Sequence, residues 1–499
     1  NATHALVFML AGLTGRWKQT VAYYFTGNST KGHVLKDIIL EIIRLAENMS
    51  LQVQAITTDM GPVNQAMWKS FGIYSNRKNT INSIPHPKDS TRKLFFIADV
   101  PHLCKNLRKM FIAHKVFIID DYFVKKYSLP SNAVKLEHIT QLCEHQSDHE
   151  LKLATKINSD SLETDHFNGM KVSPAYCLLN RKVADGLKYL VAEEGFEKEL
   201  LTTSWFLITI HKWFDLMTCR SPKFALSLIN QKQYEEAVRF LEEIIKLLET
   251  LRFGSDKQSA WKPIQSGIIL ATKSVLELHV ILLKEKNYKF VLTGRLTQDC
   301  LENLFSSVRI RQAVPSPLQF ERHLKLITVS QYLRETSTSS YDEDDREFLG
   351  DFFEKGTQIN NNIIEHEYKE IELFTPLIGK MEINICKSEK NSLYHLSGYI
   401  VNKVMTLDKV CTDCVSSLLL SEEDSPNSYS KLLKIKEYKQ DCLTKVNDKC
   451  FTFMLILEET FRACQIVLPD IVNTKDFLSA SMSSKAEAVI VPTCRETKK

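Results

Sequence analysis

The spacing of apolar positions changes period within the first sixty residues, and the change separates strands from helices. Ala5–Leu10 (A-L-V-F-M-L) and Gln19–Thr26 (Q-T-V-A-Y-Y-F-T) are rich in β-forming residues. The turn signal Gly12-Leu13-Thr14-Gly15 lies between them, which predicts an antiparallel hairpin. From Gly32 the apolar positions Val34, Ile38, Ile39, Ile42, Ile43 and Leu45 follow helical spacing to about Asn48. Leu51–Thr57 reads as a strand ending at Thr58-Asp59-Met60-Gly61. Ser83–Arg92 is a polar, proline-containing connection, and Leu94–Ala98 is a buried strand ending at Asp99. Pro101 then opens a helix through about Phe111. The order strand, strand, helix, strand, strand, helix predicts a mixed α/β domain in which a hairpin feeds a parallel part.

From about Ser128 to Phe290 the spacing is mostly helical, with Val183–Leu190, Thr203–Trp213, the amphipathic Tyr234–Leu251 and a buried Ser266–Leu283. Thr293–Arg311 follows. Asp299 and Glu302, three residues apart, share one face of it, and Leu301, Leu304, Phe305 and Val308 form an apolar stripe. Arg309 and Arg311 stand at its end. A docked helix bearing acids and then arginines suggests metal-assisted chemistry on nucleic acid. An ordinary amphipathic helix with solvated charges suits this stretch equally well. Pro315-Ser316-Pro317 breaks the chain, and Leu318–Tyr332 resumes as a helix. A Thr/Ser-rich run with Tyr341–Arg346 (Y-D-E-D-D-R) reads as an exposed acidic linker, and Leu393–Val404 as a further helix.

Composition narrows the classes. A chain of 499 residues has room for about three domains. With 44% hydrophobic and 25% charged residues it is ordinary for a soluble protein, and a net charge of +4 leaves nucleic-acid binding to local basic patches. No apolar run is expected to span a bilayer, because Lys273, Glu277 and His279 interrupt Gly267–Leu283. The chain starts at Asn1 without an initiator Met or signal peptide and reads as a fragment. Twelve dispersed cysteines point to a reducing compartment, and the Asn28-Ser29-Thr30 sequon reads as chance. Cys411 and Cys414 form half of a zinc site. Cys386, His395, Cys442 and Cys450 offer no compelling second half, so structural zinc is not expected. The absence of G-x-x-x-x-G-K-[ST] argues against a free-standing P-loop GTPase.

Asp59 and Asp99 each follow an apolar strand, where a carboxylate is well placed to present a metal ligand. Each by itself also reads as a turn-starting Asp, Asp99 as the residue before a helix, and His102 as a structural hydrogen-bonder.

Four strings, in order, resemble the P element transposases, including their THAP-type relatives: Val7–Gln19 (V-F-M-L-A-G-L-T-G-R-W-K-Q), Thr57–Asn64 (T-T-D-M-G-P-V-N), Ala98–Arg108 (A-D-V-P-H-L-C-K-N-L-R) and Thr297–Arg309 (T-Q-D-C-L-E-N-L-F-S-S-V-R). Leu396–Cys414 resembles the family's tail more weakly. The resemblance implies an α/β RNase H-like fold, a mixed sheet with flanking helices, interrupted by a large, mostly α-helical GTP-binding insertion domain and followed by a helical C-terminal region. It divides the chain into 1–125 (RNase H-like, first part), 126–292 (insertion), 293–335 (RNase H-like, second part), 336–380 (acidic linker and helix) and 381–499 (helical region with the C-x-x-C). It implies a DDE triad of metal-binding acids in which Asp59 is the second and Glu302 the third. The first belongs on a strand before the hairpin, and no acid precedes Asp37, so it is expected outside this chain. Such chemistry uses two Mg²⁺ ions about 4 Å apart, for which hard carboxylate oxygens are suited.

The resemblance further implies GTP contacts at Lys156, Lys171, Val172, Phe214, Asp215 and Asp299, whereas Asn180 and Thr218 do not clearly match. Lys105, Arg108, Arg309 and Arg311 are the expected DNA contacts. The implied protein is a nuclear, homo-oligomeric DNA transposase. It would carry out Mg²⁺-dependent cleavage and strand transfer, with GTP as a non-hydrolysed cofactor. The alternative is a domesticated or decayed relative that binds DNA without catalysis.

Overall fold

The hairpin forms where β-rich runs flank the glycine turn: β1 (His4–Ala11) and β2 (Lys18–Thr26) pair antiparallel, with a register slip between Phe8 and Met9. The computed structural model describes residues 2–335 and 383–486 except 16, 28–29, 159–161, 163–172, 256–259, 407–413, 415, 422–424, 466 and 472. The expected acidic linker and Cys411 lie outside the described residues. α1 (Gly32–Asn48) buries Leu35, Ile39, Ile43 and Ala46, a stripe at helical spacing. Val34 and Leu45, read as part of that face, lie off it and are exposed. β3 (Ala55–Thr58) is followed by α2 (Pro62–Ser70), which the apolar spacing did not reveal. It starts with Pro62, whose fixed φ suits the first turn, and it buries Met67 and Trp68.

After a small ladder of β4 (Tyr74–Ser75) and β5 (Thr80–Ile81) come β6 (Ser83–Pro85) and β7 (Lys93–Ala98). Ser83–Arg92 is therefore more than a connection. β6 pairs antiparallel with β7, and its Pro85 sits on an edge strand, where a missing N–H is tolerated. β7 pairs parallel with β3, giving the order β3-β7-β6. Leu94–Ala98 are wholly buried, as expected of a central strand. α3 (Val100–His114) leads to β8 (Val116–Ile118), α4 (Asp121–Lys126) and β9 (Ala133–Lys135). Mostly helical chain follows: α5 (Leu136–His145), α6 (Ser173–Leu178), α7 (Arg181–Glu193), α8 (Leu200–Met217) and α9 (Gln231–Thr250). β10 (Arg252–Phe253) joins β8 and β9 in a second sheet, order β10-β8-β9.

α10 (Pro263–Val280), extended by a π turn at Ile281–Glu285, is the core helix of the first part of the fold. Pro263–Glu285 is, by length and composition, long and apolar enough to cross a bilayer, contrary to the expectation from its interrupting charges. It lies 67% buried, packed on β7, α9 and α3, and its polar groups are spent on neighbours. Ser274 Oγ donates to Phe96 O at 2.6 Å, and Lys273 Nζ donates to Thr80 O at 3.0 Å. A short 3₁₀ turn at Thr293–Leu296 precedes α11 (Asp299–Arg311), and α12 (Pro317–Glu335) follows it. Leu304 and Val308 of α11 pack with Val7 of β1 and with Phe320 and Leu324 of α12, with Leu301 and Phe305 alongside. The stripe predicted to dock this helix does so.

The chain forms two compact units: Asn1–Glu137 with Asp160–Asn180 and Trp205–Gly350, and His138–Ser159 with Arg181–Ser204 and Asp351–Lys499. The second contains α13 (Lys387–Met405), α14 (Lys431–Lys436), α15 (Asp448–Cys464) and α16 (Thr474–Ala486). Its core gathers Leu393, Tyr394, Val401, Leu433, Val446, Cys450 and Phe451. Gly398, in α13, is required there, because a Cβ would clash with Thr444 O.

Candidate active site at two neighbouring strand ends

β3 and β7 run parallel with Thr58 opposite Ala98, so the residues that follow them, Asp59 and Asp99, leave adjacent strands on the same edge of the sheet. They are used differently. Asp59 closes the turn into α2: its Oδ1 accepts Gly61 N and Asn64 Nδ2, both at 2.7 Å. Its Oδ2 carries no hydrogen bond among the described residues. Asp99 is 1% exposed and is the N-cap of α3. Its Oδ2 accepts His102 N at 3.1 Å and pairs with His102 Nδ1 at 2.7 Å. Its Oδ1 accepts Gln298 N at 2.7 Å, a bond that spans 199 residues of sequence. Thr57 Oγ1 adds a bond to Leu296 O at 2.9 Å. The 3₁₀ turn and the start of α11 are thus fastened to both strand ends.

That fastening brings Glu302 to the same place. Glu302 is half exposed, and its Oε1 lies 3.9 Å from His102 Nε2. His102 therefore links Asp99 on one side to Glu302 on the other. The Asp99 hydrogen bond raises the imidazole above its ordinary value, against the opposing effect of burial. Lys105, one turn further along α3, is lowered by burial, while the charges of Glu302, Asp59 and Asp99 act on it in the opposite sense. Lys105 thus sits within the field of all three acids. Among the described residues no group of three or more His, Cys, Asp or Glu side chains stands close enough to hold one metal ion.

The residues expected at a nucleotide fall into three sets. Phe214 and Asp215 lie near the end of α8, where the Tyr176 ring stands 5.7 Å from Phe214 and 5.6 Å from His211. His211 Nε2 is 3.4 Å from Asp215 Oδ2, and partial burial pushes the Asp215 carboxyl up against the pull of that histidine. The end of α8 is tied to the 3₁₀ turn. Thr293 Oγ1 donates to Leu216 O at 2.6 Å and accepts Cys219 N at 3.0 Å, and Gly294 N donates to Cys219 O at 2.9 Å. Gly294 permits the approach, since a Cβ would stand 2.9 Å from Thr218 O. The tie brings Arg220 against Asp299, which it holds in an ion pair. Lys156 belongs to the second unit, exposed and at φ 70°. Lys171 and Val172 lie outside the described residues. Asn180 and Thr218 are engaged locally: Asn180 Nδ2 donates to Tyr176 O and Cys177 O, and Thr218 Oγ1 to Phe214 O.

Arg108 is corrected by the structure. It is 1% exposed, on the buried face of α3, so a surface phosphate cannot reach it. Arg309 and Arg311 are exposed at the end of α11, with Arg309 5.8 Å from the Phe305 ring centre. Sequence reading missed Arg220 and the His102 bridge. The signal for His102 was present, since Asp99 at the end of a strand was noted and then set aside. Arg220 has no sequence signal, because only the Thr293 and Gly294 bonds bring it to Asp299.

An RNase H-like domain whose chain is interrupted by a nucleotide-binding insertion defines the class. Two family models match: "TNP-like, RNase H N-terminal domain" at residues 1–72 and "TNP-like, GTP-binding insertion domain" at residues 102–231. The chain is a relative of the P element transposases. It is 25% identical over 419 residues to the "Transposable element P transposase" of Drosophila melanogaster, covering 81% of this chain and 52% of that protein. It is 21% identical over 442 residues to the "DNA transposase THAP9" of Homo sapiens, covering 84% of this chain and 47% of that protein. It therefore spans about half the length of these curated relatives. The "Drosophila P element transposase strand transfer complex" has the same fold, with a TM-score of 0.56 at 24% identity over 68% of this chain and 72% of that one.

Proposed function

We propose that this chain is the catalytic and nucleotide-binding part of a P element-type DNA transposase, and that Asp59 and Glu302 are two of its metal-holding acids. The observation that carries this reading is the fastening of Gln298 to Asp99, which sets Glu302 near His102 at the end of β7, the strand that pairs with β3 and its Asp59, although 243 positions separate Glu302 from Asp59. The donors fit Mg²⁺: both are carboxylates, Glu302 is half exposed, and Asp59 Oδ2 is unspent among the described residues. Bound Mg²⁺ would supply an activated hydroxyl and stabilise the leaving oxygen of a phosphodiester. The protein's own part is positional. Asp99 holds the start of α11, His102 braces Glu302, and Lys105 offsets the repulsion among the acids. Iron-directed backbone cleavage tests the metal site: with Fe²⁺ in place of Mg²⁺, peroxide should cut the chain near 59 and near 302. Cuts elsewhere only would refute the assignment.

For the insertion, we infer that guanine stacks on Phe214 and that Asp215 or Asp299 accepts its N1–H and N2–H. The ties between α8 and the turn before α11 support it, because they couple Phe214 to the helix that bears Glu302. Titration with labelled GTP should saturate, and no saturable binding at millimolar nucleotide would refute it. A second reading is a nuclear DNA-binding relative without catalysis. Cleavage by the wild-type protein decides against it.

A further inference from the structure

The second unit holds a group of cations that neither the triad nor the nucleotide reading uses. Arg181 and Lys182 open α7, and Lys188 lies two turns along it. Asp185, 2% exposed, stands between them, with Arg181 Nε at 3.5 Å and Lys188 Nζ at 3.8 Å. Lys436, the last residue of α14, joins from another element and donates to Leu153 O at 3.4 Å. Lys182 Nζ reaches Thr155 Oγ1 at 3.5 Å, in the same loop as Leu153. Three cations, Arg181, Lys188 and Lys436, thus act on one carboxylate with Lys182 alongside, and among the described residues Asp185 Oδ1 has no hydrogen-bond partner. Lys182 and Lys436 make no ion pair among the described residues. Acids nearby are spent elsewhere: Glu193 pairs with Lys387 and Lys431, and Glu437 with Lys445.

The crowding has an electrostatic cost. Burial, with repulsion from Lys182, brings the Lys436 ammonium down to about 8 against the pull of Asp185. Burial, with Lys436 and Lys182, brings His395 down to about 4, so it adds no charge at neutral pH. Cations so placed gain when an external anion arrives. Two features indicate a polymer rather than a single small anion. The run K-L-L-K-I-K-E-Y-K (431–439) extends the positive surface through the exposed Lys434 and Lys439. Beside it Tyr438, 72% exposed, has Arg181 over its ring at 5.4 Å, an aromatic–guanidinium surface that suits a nucleotide face.

We propose that Arg181, Lys182, Lys436 and Tyr438 form a DNA-contacting surface in the second unit, with the cations on backbone phosphates and the tyrosine against an exposed base or sugar. This inference rests on the transposase reading only in taking DNA as the polyanion. The test is fluorescence anisotropy of the 499-residue chain on a labelled duplex, repeated across a salt series. The surface pair Arg181→Gln/Lys182→Gln should weaken binding about tenfold and flatten the salt slope by about 1.8, at about 0.9 per phosphate contact. Lys436→Gln should act in the same direction. It is half-buried, so the variant's fold is checked by circular dichroism, and the surface pair stands as evidence if it misfolds. Lys198→Gln, exposed and outside the cluster, should leave affinity and slope unchanged. Wild-type binding with unaltered affinity and slope in the surface pair overturns this inference and leaves the transposase reading standing. Absence of DNA binding by the wild type overturns both. Unaltered DNA binding with weakened binding of GTP or tripolyphosphate reassigns the cluster to a free nucleotide and overturns the inference.

Discussion

Asp99→Ala is the sharpest perturbation of the frame that holds the proposed active site. The carboxylate caps α3 through His102 N and fixes the start of α11 through Gln298 N. Removing an N-cap acceptor costs about 1 kcal/mol. Leaving the half-buried Gln298 N–H without an acceptor costs about 1–2 kcal/mol more. The sum, about 2–3 kcal/mol, falls on the segment that carries Glu302. Hydrogen exchange read by mass spectrometry on peptides covering 293–302 reports the local effect. At a factor of ten per ~1.4 kcal/mol, protection there should fall roughly 30- to 150-fold. Asp99→Asn keeps one acceptor oxygen and should lose about half as much in free energy. Protection in 293–302 unchanged within a factor of two in Asp99→Ala would refute the claim that this residue ties the two parts of the domain together.

Two further perturbations probe the second unit. Burial pushes the Glu389 carboxyl up, but the Arg462 hydrogen bond and charge, with backbone N–H groups of Cys386 and Leu151, hold it down to about 2. A depressed carboxylate contributes stability that is present above its unfolded value near 4.5 and is lost as pH falls toward 2. Denaturation followed through that window should show a loss of about 3 kcal/mol in the wild type. Glu389→Gln should flatten it, and an equal slope in both would contradict the assignment. Gly398→Ala places a Cβ against Thr444 O and should cost about 1–3 kcal/mol, read as a lowered denaturation midpoint, since backbone yields less readily than a side chain. A midpoint equal to wild type would show that the contact relaxes freely.

The legible parts of the fold were those where one local signal suffices. The hairpin was readable because β-rich runs flank a glycine turn, and α11 because four apolar residues recur at helical spacing. α2 was missed because its nine residues carry only a short apolar face and its opening Pro62 reads equally as a turn. β6 was missed because three residues of strand, one a proline, leave no alternation to count. Arg108 was misjudged because arginine is usually solvated, and nothing in N-L-R-K-M-F marks its buried face until α3 meets its neighbours. At the candidate site, Asp59 and Glu302 are proposed from motif resemblance, whereas the Asp99–His102–Glu302 chain and the Arg220–Asp299 pair exist only once distant segments are brought together. α10 shows the converse: its composition suits a membrane span, and only its packing identifies it as a core helix.

The central claim is that Asp59 and Glu302 act together on a phosphodiester, and DNA cleavage with Mg²⁺ measures it most directly. Glu302→Ala and Asp59→Ala, in protein that cleaves and joins DNA as wild type, should each abolish cleavage and strand transfer while leaving duplex binding by anisotropy unchanged. Nicking at the wild-type rate by either variant would contradict the account.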